Sequence, residues 1–152
     1  MGFMYLGLRG NGMGIKIKPA DSAFSKCIRE RVNYVCESCG KQYDRSSMGL
    51  HCSHFFSRRH RTIRWCSDNA ASHCFSCHHT LGGNPIDFTH WIERYLGQVR
   101  LDILIEKRND LSVKISKLEE KEIAKHYRKE LKLLKEKRAN GETGIIEFVS
   151  YQ

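Results

Sequence analysis

The chain has 152 residues, with 26 Lys+Arg against 17 Asp+Glu, a formal charge of +9 and a pI near 9.3. That length holds one domain with a modest core plus a helical extension, and that charge balance favours a polyanionic partner, nucleic acid first. No apolar run approaches a membrane span, the opening MGFMYLGL lacks the pattern of a secretory signal, and the seven cysteines suit metal ligation in the cytosol better than a disulfide framework.

Residues 1–20 are rich in glycine and are expected to form a flexible tail or an edge strand built on Phe3, Met4, Tyr5 and Leu6. From Asp21, read as an N-cap, the apolar positions Phe24, Cys27, Ile28 and Val32 recur at helical spacing, so a short amphipathic helix is expected to about 32. It leads into CESCG, where Gly40 permits the left-handed backbone of a zinc knuckle. A strand over 49–56, a basic turn and a second strand over 62–65 follow, the latter for its β-formers. Ser72 or His73 then opens a helical segment carrying Cys74 and Cys77.

Phe88, Trp91, Ile92 and Tyr95 mark one face of the next helix, which stops at Gly97, and a short helix over 98–108 precedes a break at Asn109 and Asp110. From there one long helix is expected to run to Ala139, with an apolar stripe of Ile115, Leu118, Ile123, Tyr127, Leu131 and Leu134. Residues 144–151 read as a terminal strand. The expected organisation is therefore α+β: a zinc-stapled domain over 21–97, a helical extension over 98–140 and a strand or tail over 141–152.

Two C-x-x-C pairs, Cys36/Cys39 and Cys74/Cys77, offer four thiolates that can close a tetrahedron around a structural Zn²⁺. Between them lie the residues with chemistry. His54, near the end of the first strand, is the better general base, because a neutral imidazole accepts a proton from water near neutral pH. His51 lies on the opposite side of a regular strand, beside Ser53. Asn69 is placed to hold the other ring nitrogen of the base and fix its tautomer, and His78, set by the zinc through Cys77, pairs with His51 as a ligand for a catalytic divalent cation. Arg58, Arg59, His60, Arg61 and Arg64 cluster at the turn, where guanidinium forks suit phosphate oxygens.

The ordered series CESCG, HCSHF, SRR, RW, DN, HCFSCHH and GNP, followed by an aromatic helix ending in YLG, resembles the phage NinG/Rap recombination endonucleases of the HNH, treble-clef ββα-metal superfamily, which includes phage endonuclease VII. The likeness covers residues 24–100. It implies a divalent-metal endonuclease acting on branched DNA, such as Holliday junctions and D-loops, with His54 as base, Asn69 as orienting residue, and Cys36, Cys39, Cys74 and Cys77 on zinc. His51 stands where the family places an acidic residue and His78 where it places an Asn, so imidazole replaces oxygen and the usual Mg²⁺ gives way toward Mn²⁺ or Zn²⁺. The alternatives are a non-catalytic zinc-containing nucleic-acid-binding module and an HNH nickase or homing-type enzyme on duplex DNA. Because symmetric junction resolution needs two cuts, a homodimer formed through the helices after Gly97 is expected.

Overall fold

The computed structural model describes residues 14–152, so most of the expected N-terminal tail or edge strand lies outside the described residues. Pro19 opens helix α1 (Pro19–Arg31), where its fixed φ suits the first turn and its missing N–H costs nothing. Asp21 is not the cap but the third helical residue. Lys18 is the N-cap, and its N–H donates to the Asp21 carboxylate at 2.8 Å. The same carboxylate accepts Arg64 Nε at 2.9 Å, Arg64 Nη2 at 2.5 Å and the Trp65 indole N–H at 2.9 Å.

Asp21 and Arg64 are both buried, at 7% and 5% exposure, so this is an interior ion pair pinning the loop after β1 to α1. Burial alone would raise the Asp21 carboxyl, but the Arg64 guanidinium and the Lys18 N–H outweigh it and hold it below its ordinary 3.8. Breaking such a pair by removing one partner costs about 3–5 kcal/mol, because the other charge stays buried. Asp21→Ala is expected to lose about that much stability in denaturant melts at pH 7. The gap from wild type should shrink as pH falls below 3.8 and through the lowered native pKa, where the wild-type carboxylate is protonated as well.

Among the described residues the sheet has two antiparallel strands, β1 (Leu50–His54) and β2 (Ala70–Cys74), with Leu50 opposite Cys74, His51 opposite His73 and His54 opposite Ala70. The second strand is thus not at 62–65. That stretch makes tight turns, Ile63 N–H to His60 C=O and Cys66 N–H to Ile63 C=O, each at 3.1 Å, and a 3₁₀ turn over Ser67–Asn69 delivers the chain to β2. Ile63 and Trp65 are buried as anchors of the loop, and their side chains suit a core as well as a strand. The sequence of β2, AASHC, has little strand propensity. What the position needs is small side chains, since Ala70 faces the α1 cluster and Ala71 the cluster of the later helices.

Four further helices follow: α2 (Phe75–Gly82), α3 (Pro85–Leu96), α4 (Gln98–Asn109) and α5 (Lys117–Ala139). Neither Ser72 nor His73 opens α2; both lie in β2, and Cys74 is the cap. The long helix begins only at Lys117, where the Ser116 hydroxyl accepts Glu119 N–H at 3.1 Å. Its stripe is covered by its own chain. Ile123, Tyr127 and Leu134 are buried against Phe24, Cys27 and Ile28 of α1, Ile115 and Leu131 pack on the same cluster, and Leu118 points outward at 71% exposure. Residues 144–151 form no strand. They run extended over this cluster, with Ile146 N–H on Arg31 C=O at 2.9 Å and Val149 N–H on the Glu130 carboxylate at 2.9 Å, and they insert Ile146 and Phe148.

On the other side of the sheet, Phe55, Phe56, Ile63 and Ala71 pack with Phe88, Ile92 and Leu96 of α3 and Leu101 and Leu104 of α4. A third, small cluster of Tyr34, Cys36, Leu50 and Cys74 surrounds the cysteine site. Among the described residues no helix is long and apolar enough to cross a membrane.

Candidate functional site

The ligand atoms of Cys36, Cys39, Cys74 and Cys77 all lie within 4.8 Å of one another. Four thiolates about 2.3 Å from one Zn²⁺ stand roughly 3.8 Å apart at the corners of a tetrahedron, and Cys39 Sγ lies 3.9 Å from Cys74 Sγ. The first pair sits on a turn closed by Gly40, whose φ is +76° and whose N–H bonds Cys36 C=O at 2.8 Å. The second sits at the start of α2, where Cys77 N–H donates to Cys74 Sγ at 3.4 Å; Cys74 N–H in turn donates to Cys36 Sγ at 3.2 Å. Burial works against a thiolate throughout the cluster and pushes Cys77 up to about 12 and Cys36 upward, while at Cys74 the donors prevail and draw that thiol down to about 7. The donor set fits zinc. Cys27 and Cys52 stand apart in the first cluster, where burial pushes each up to about 12 and keeps them thiols.

A network unforeseen from sequence locks this turn to the rest. Glu37, between the first two cysteines, accepts Ser72 N–H at 2.8 Å and the Tyr95 hydroxyl at 2.8 Å, and the buried Arg31 donates to the Tyr95 oxygen at 2.9 Å. Nothing local in the sequence announces it, since Tyr95 is 58 residues from Glu37.

The two faces of β1 carry different chemistry. His54 faces α1, its ring 5.9 Å from that of Phe24, and its Nε2 lies 3.1 Å from Arg64 C=O. A carbonyl only accepts, so Nε2 carries the proton and Nδ1 is left with the lone pair, the tautomer a general base requires. Burial pushes this imidazole down to about 4, which keeps it neutral at pH 7.

Asn69 does not touch the ring. Its amide nitrogen donates to Phe56 C=O at 3.0 Å and Ile63 C=O at 3.1 Å, and its oxygen accepts Phe56 N–H at 2.8 Å. It therefore ties the end of β1 to the loop that carries the Arg64 carbonyl. The backbone holds the tautomer, and Asn69 supports that backbone.

On the opposite face His51 and His78 lie with their rings parallel to within 5° and 5.4 Å between centroids. Ser53, from the same face, lies with its hydroxyl 3.1 Å from His78 Nδ1, leaving Nε2 for another partner. Burial lowers the His78 pKa, and the neighbouring His51 adds to it. The two imidazoles are adjacent as expected of a ligand pair, but strand alternation separates them from His54. His73, across from His51, is a core residue, its ring edge-on to Trp91 at 4.5 Å and both nitrogens without a hydrogen-bond partner among the described residues.

The arginine cluster divides. Arg64 is the buried partner of Asp21, not a phosphate clamp, and Arg61 is bonded to Ile115 C=O at 3.0 Å and to the Glu120 carboxylate. Both pairs join residues distant in sequence, so the basic run conceals them. Arg58 and the exposed Arg59 make no ion pair among the described residues and remain available to an anion.

No curated protein and no solved structure matches the chain significantly. A family model does: that of the bacteriophage lambda NinG protein matches residues 14–137, a span holding the four cysteines, both strands, the histidines on either face and most of α5. The chain belongs to the NinG family.

Proposed function

We propose that the protein is a divalent-metal-dependent endonuclease acting on branched DNA, such as Holliday junctions and D-loops, during phage recombination in the host cytoplasm. The observation that carries this reading is the His54 imidazole, neutral and held by the Arg64 carbonyl in the tautomer that leaves Nδ1 as acceptor. A nuclease needs such an acceptor to take a proton from water, and a protein that only binds DNA does not. In this reading β1, β2 and α2 are the ββα unit of an HNH nuclease, stapled by zinc. His51 and His78 would hold the catalytic cation, which supplies polarisation of the scissile phosphate, and two nitrogen donors suit Mn²⁺ better than Mg²⁺. Two cuts across a four-way junction call for two copies of the chain. Since Ile123, Tyr127 and Leu134 of α5 are already covered by α1, their contact would use other residues.

A second reading, a zinc-containing DNA-binding module, draws on the separation of His54 from His51 and His78 across the sheet. One experiment decides: incubation with a four-way junction and its matched linear duplex, with Mg²⁺, Mn²⁺ or a chelator that spares the cysteine site. Metal-dependent cleavage of the junction supports the nuclease; binding without cleavage under every condition supports the module. Arg58→Ala with Arg59→Ala is expected to weaken binding to junction and duplex alike and to reduce the log–log salt slope by about 2, since each phosphate contact contributes roughly 0.9. An unchanged slope would place both side chains off the DNA.

A further inference from the structure

The exposed face of α2 carries an aromatic ring that no core uses. Among the described residues Phe75, the first of the helix, is 66% exposed and belongs to none of the three clusters. Its ring lies parallel to that of His79, within 14° at 6.1 Å, and 6.0 Å from that of His51. We propose that Phe75 and His79 form a stacking platform for one unpaired nucleobase of a branched DNA, beside the His51–His78 pair. The proposal rests on the DNA reading above and adds to it the feature that would distinguish a branch point from continuous duplex.

Three observations support it. The backbone beneath the ring is anchored, because Phe75 lies between Cys74 and Cys77, Cys74 caps its helix, and its own N–H donates to Gly49 C=O at 2.9 Å. A stacking surface fixed before the base arrives loses little entropy when it binds. The surroundings also suit a polyanion: β1, β2 and α2 contain no Asp or Glu, within a chain of formal charge +9. And two imidazoles, His51 and His79, lie beside the phenyl ring and add further π-faces to it. Every base offers a π-face, so such a platform selects unpaired bases without reading sequence, and a base inside an intact duplex cannot reach it.

The test is binding without added Mg²⁺ or Mn²⁺, using a four-way junction with an unpaired 2-aminopurine inserted at the branch point and the matched duplex. Wild type is expected to quench the 2-aminopurine on binding. Phe75→Ala should leave it bright and weaken junction binding about tenfold, within the usual range for one base–aromatic stack, while duplex affinity stays constant. Phe75→Trp should restore both quenching and affinity. Phe75→Ala that binds junction as wild type does, or that loses junction and duplex affinity equally, overturns the platform and leaves the nuclease reading standing. Wild type that binds neither DNA overturns both.

Discussion

Removing zinc from the four-cysteine site, by a strong chelator or by Cys36→Ser with Cys74→Ser, is expected to abolish the native fold of the β1–β2–α2 unit rather than weaken it. The cluster around the site consists of Tyr34, Cys36, Leu50 and Cys74, so half of its buried residues are themselves ligands. Among the described residues α2 has none that is buried, and Cys77 on it and Cys74 at its cap tie it to the cysteine site. Structural zinc contributes on the order of 10–16 kcal/mol in small zinc domains, as much as the whole stability of an ordinary domain, about 5–15 kcal/mol. Without the ion, four converging sulfurs would either repel as thiolates or sit as thiols with nothing to hold them together. Elemental analysis should find one Zn²⁺ per chain after dialysis. Chelation should remove the near-ultraviolet signal of Trp91 and Tyr95, whose helix packs on this unit, while leaving part of the far-ultraviolet helical signal from α1 and α5, which pack on each other. A zinc-free protein with native spectra would show that the cysteines are not a metal site.

How much of this was legible in the sequence depended on how local each signal is. The cysteine pairs could be read because a C-x-x-C turn brings its ligands together within a few residues, and α3 because its apolar period ends at a glycine that adopts φ +74°. The strand at 62–65 was misplaced because Ile63 and Trp65 look alike whether they pair in a sheet or plug a loop into a core. Arg64 was read as a DNA contact because its partner, Asp21, lies 43 residues away and a basic run gives no hint of it. The α5 stripe was a true signal of burial, but periodicity says only that a face is covered, not whether α1 or a second chain covers it. Asn69 reads from sequence as holding the ring of His54, but its side chain bonds the backbone of Phe56 and Ile63 instead, a contact that sequence hides because thirteen positions separate Asn69 from Phe56.

His54→Ala is expected to reduce junction cleavage by about 10²–10⁴-fold, the usual contribution of a general base, while leaving junction affinity within a few-fold of wild type. The geometry behind this is the 3.1 Å contact of Nε2 with the Arg64 carbonyl, which commits Nδ1 to accepting a proton. Burial sets the pH behaviour: with the imidazole pushed down to about 4, the acid limb of kcat/KM should lie well below the unperturbed value of 6.5. A base so low is weak, and DNA itself would strengthen it, since the positive charge of Arg58 contributes to holding His54 down and a phosphate on that guanidinium would relieve the effect. His51→Ala and His78→Ala should behave differently, raising the metal concentration needed for activity with a smaller loss at saturating metal. The decisive comparison is between the two faces of β1. If His54→Ala cuts at the wild-type rate while His78→Ala is dead at any metal concentration, the chemistry belongs wholly to the His51, Ser53 and His78 face, and His54 is a packing residue beneath it.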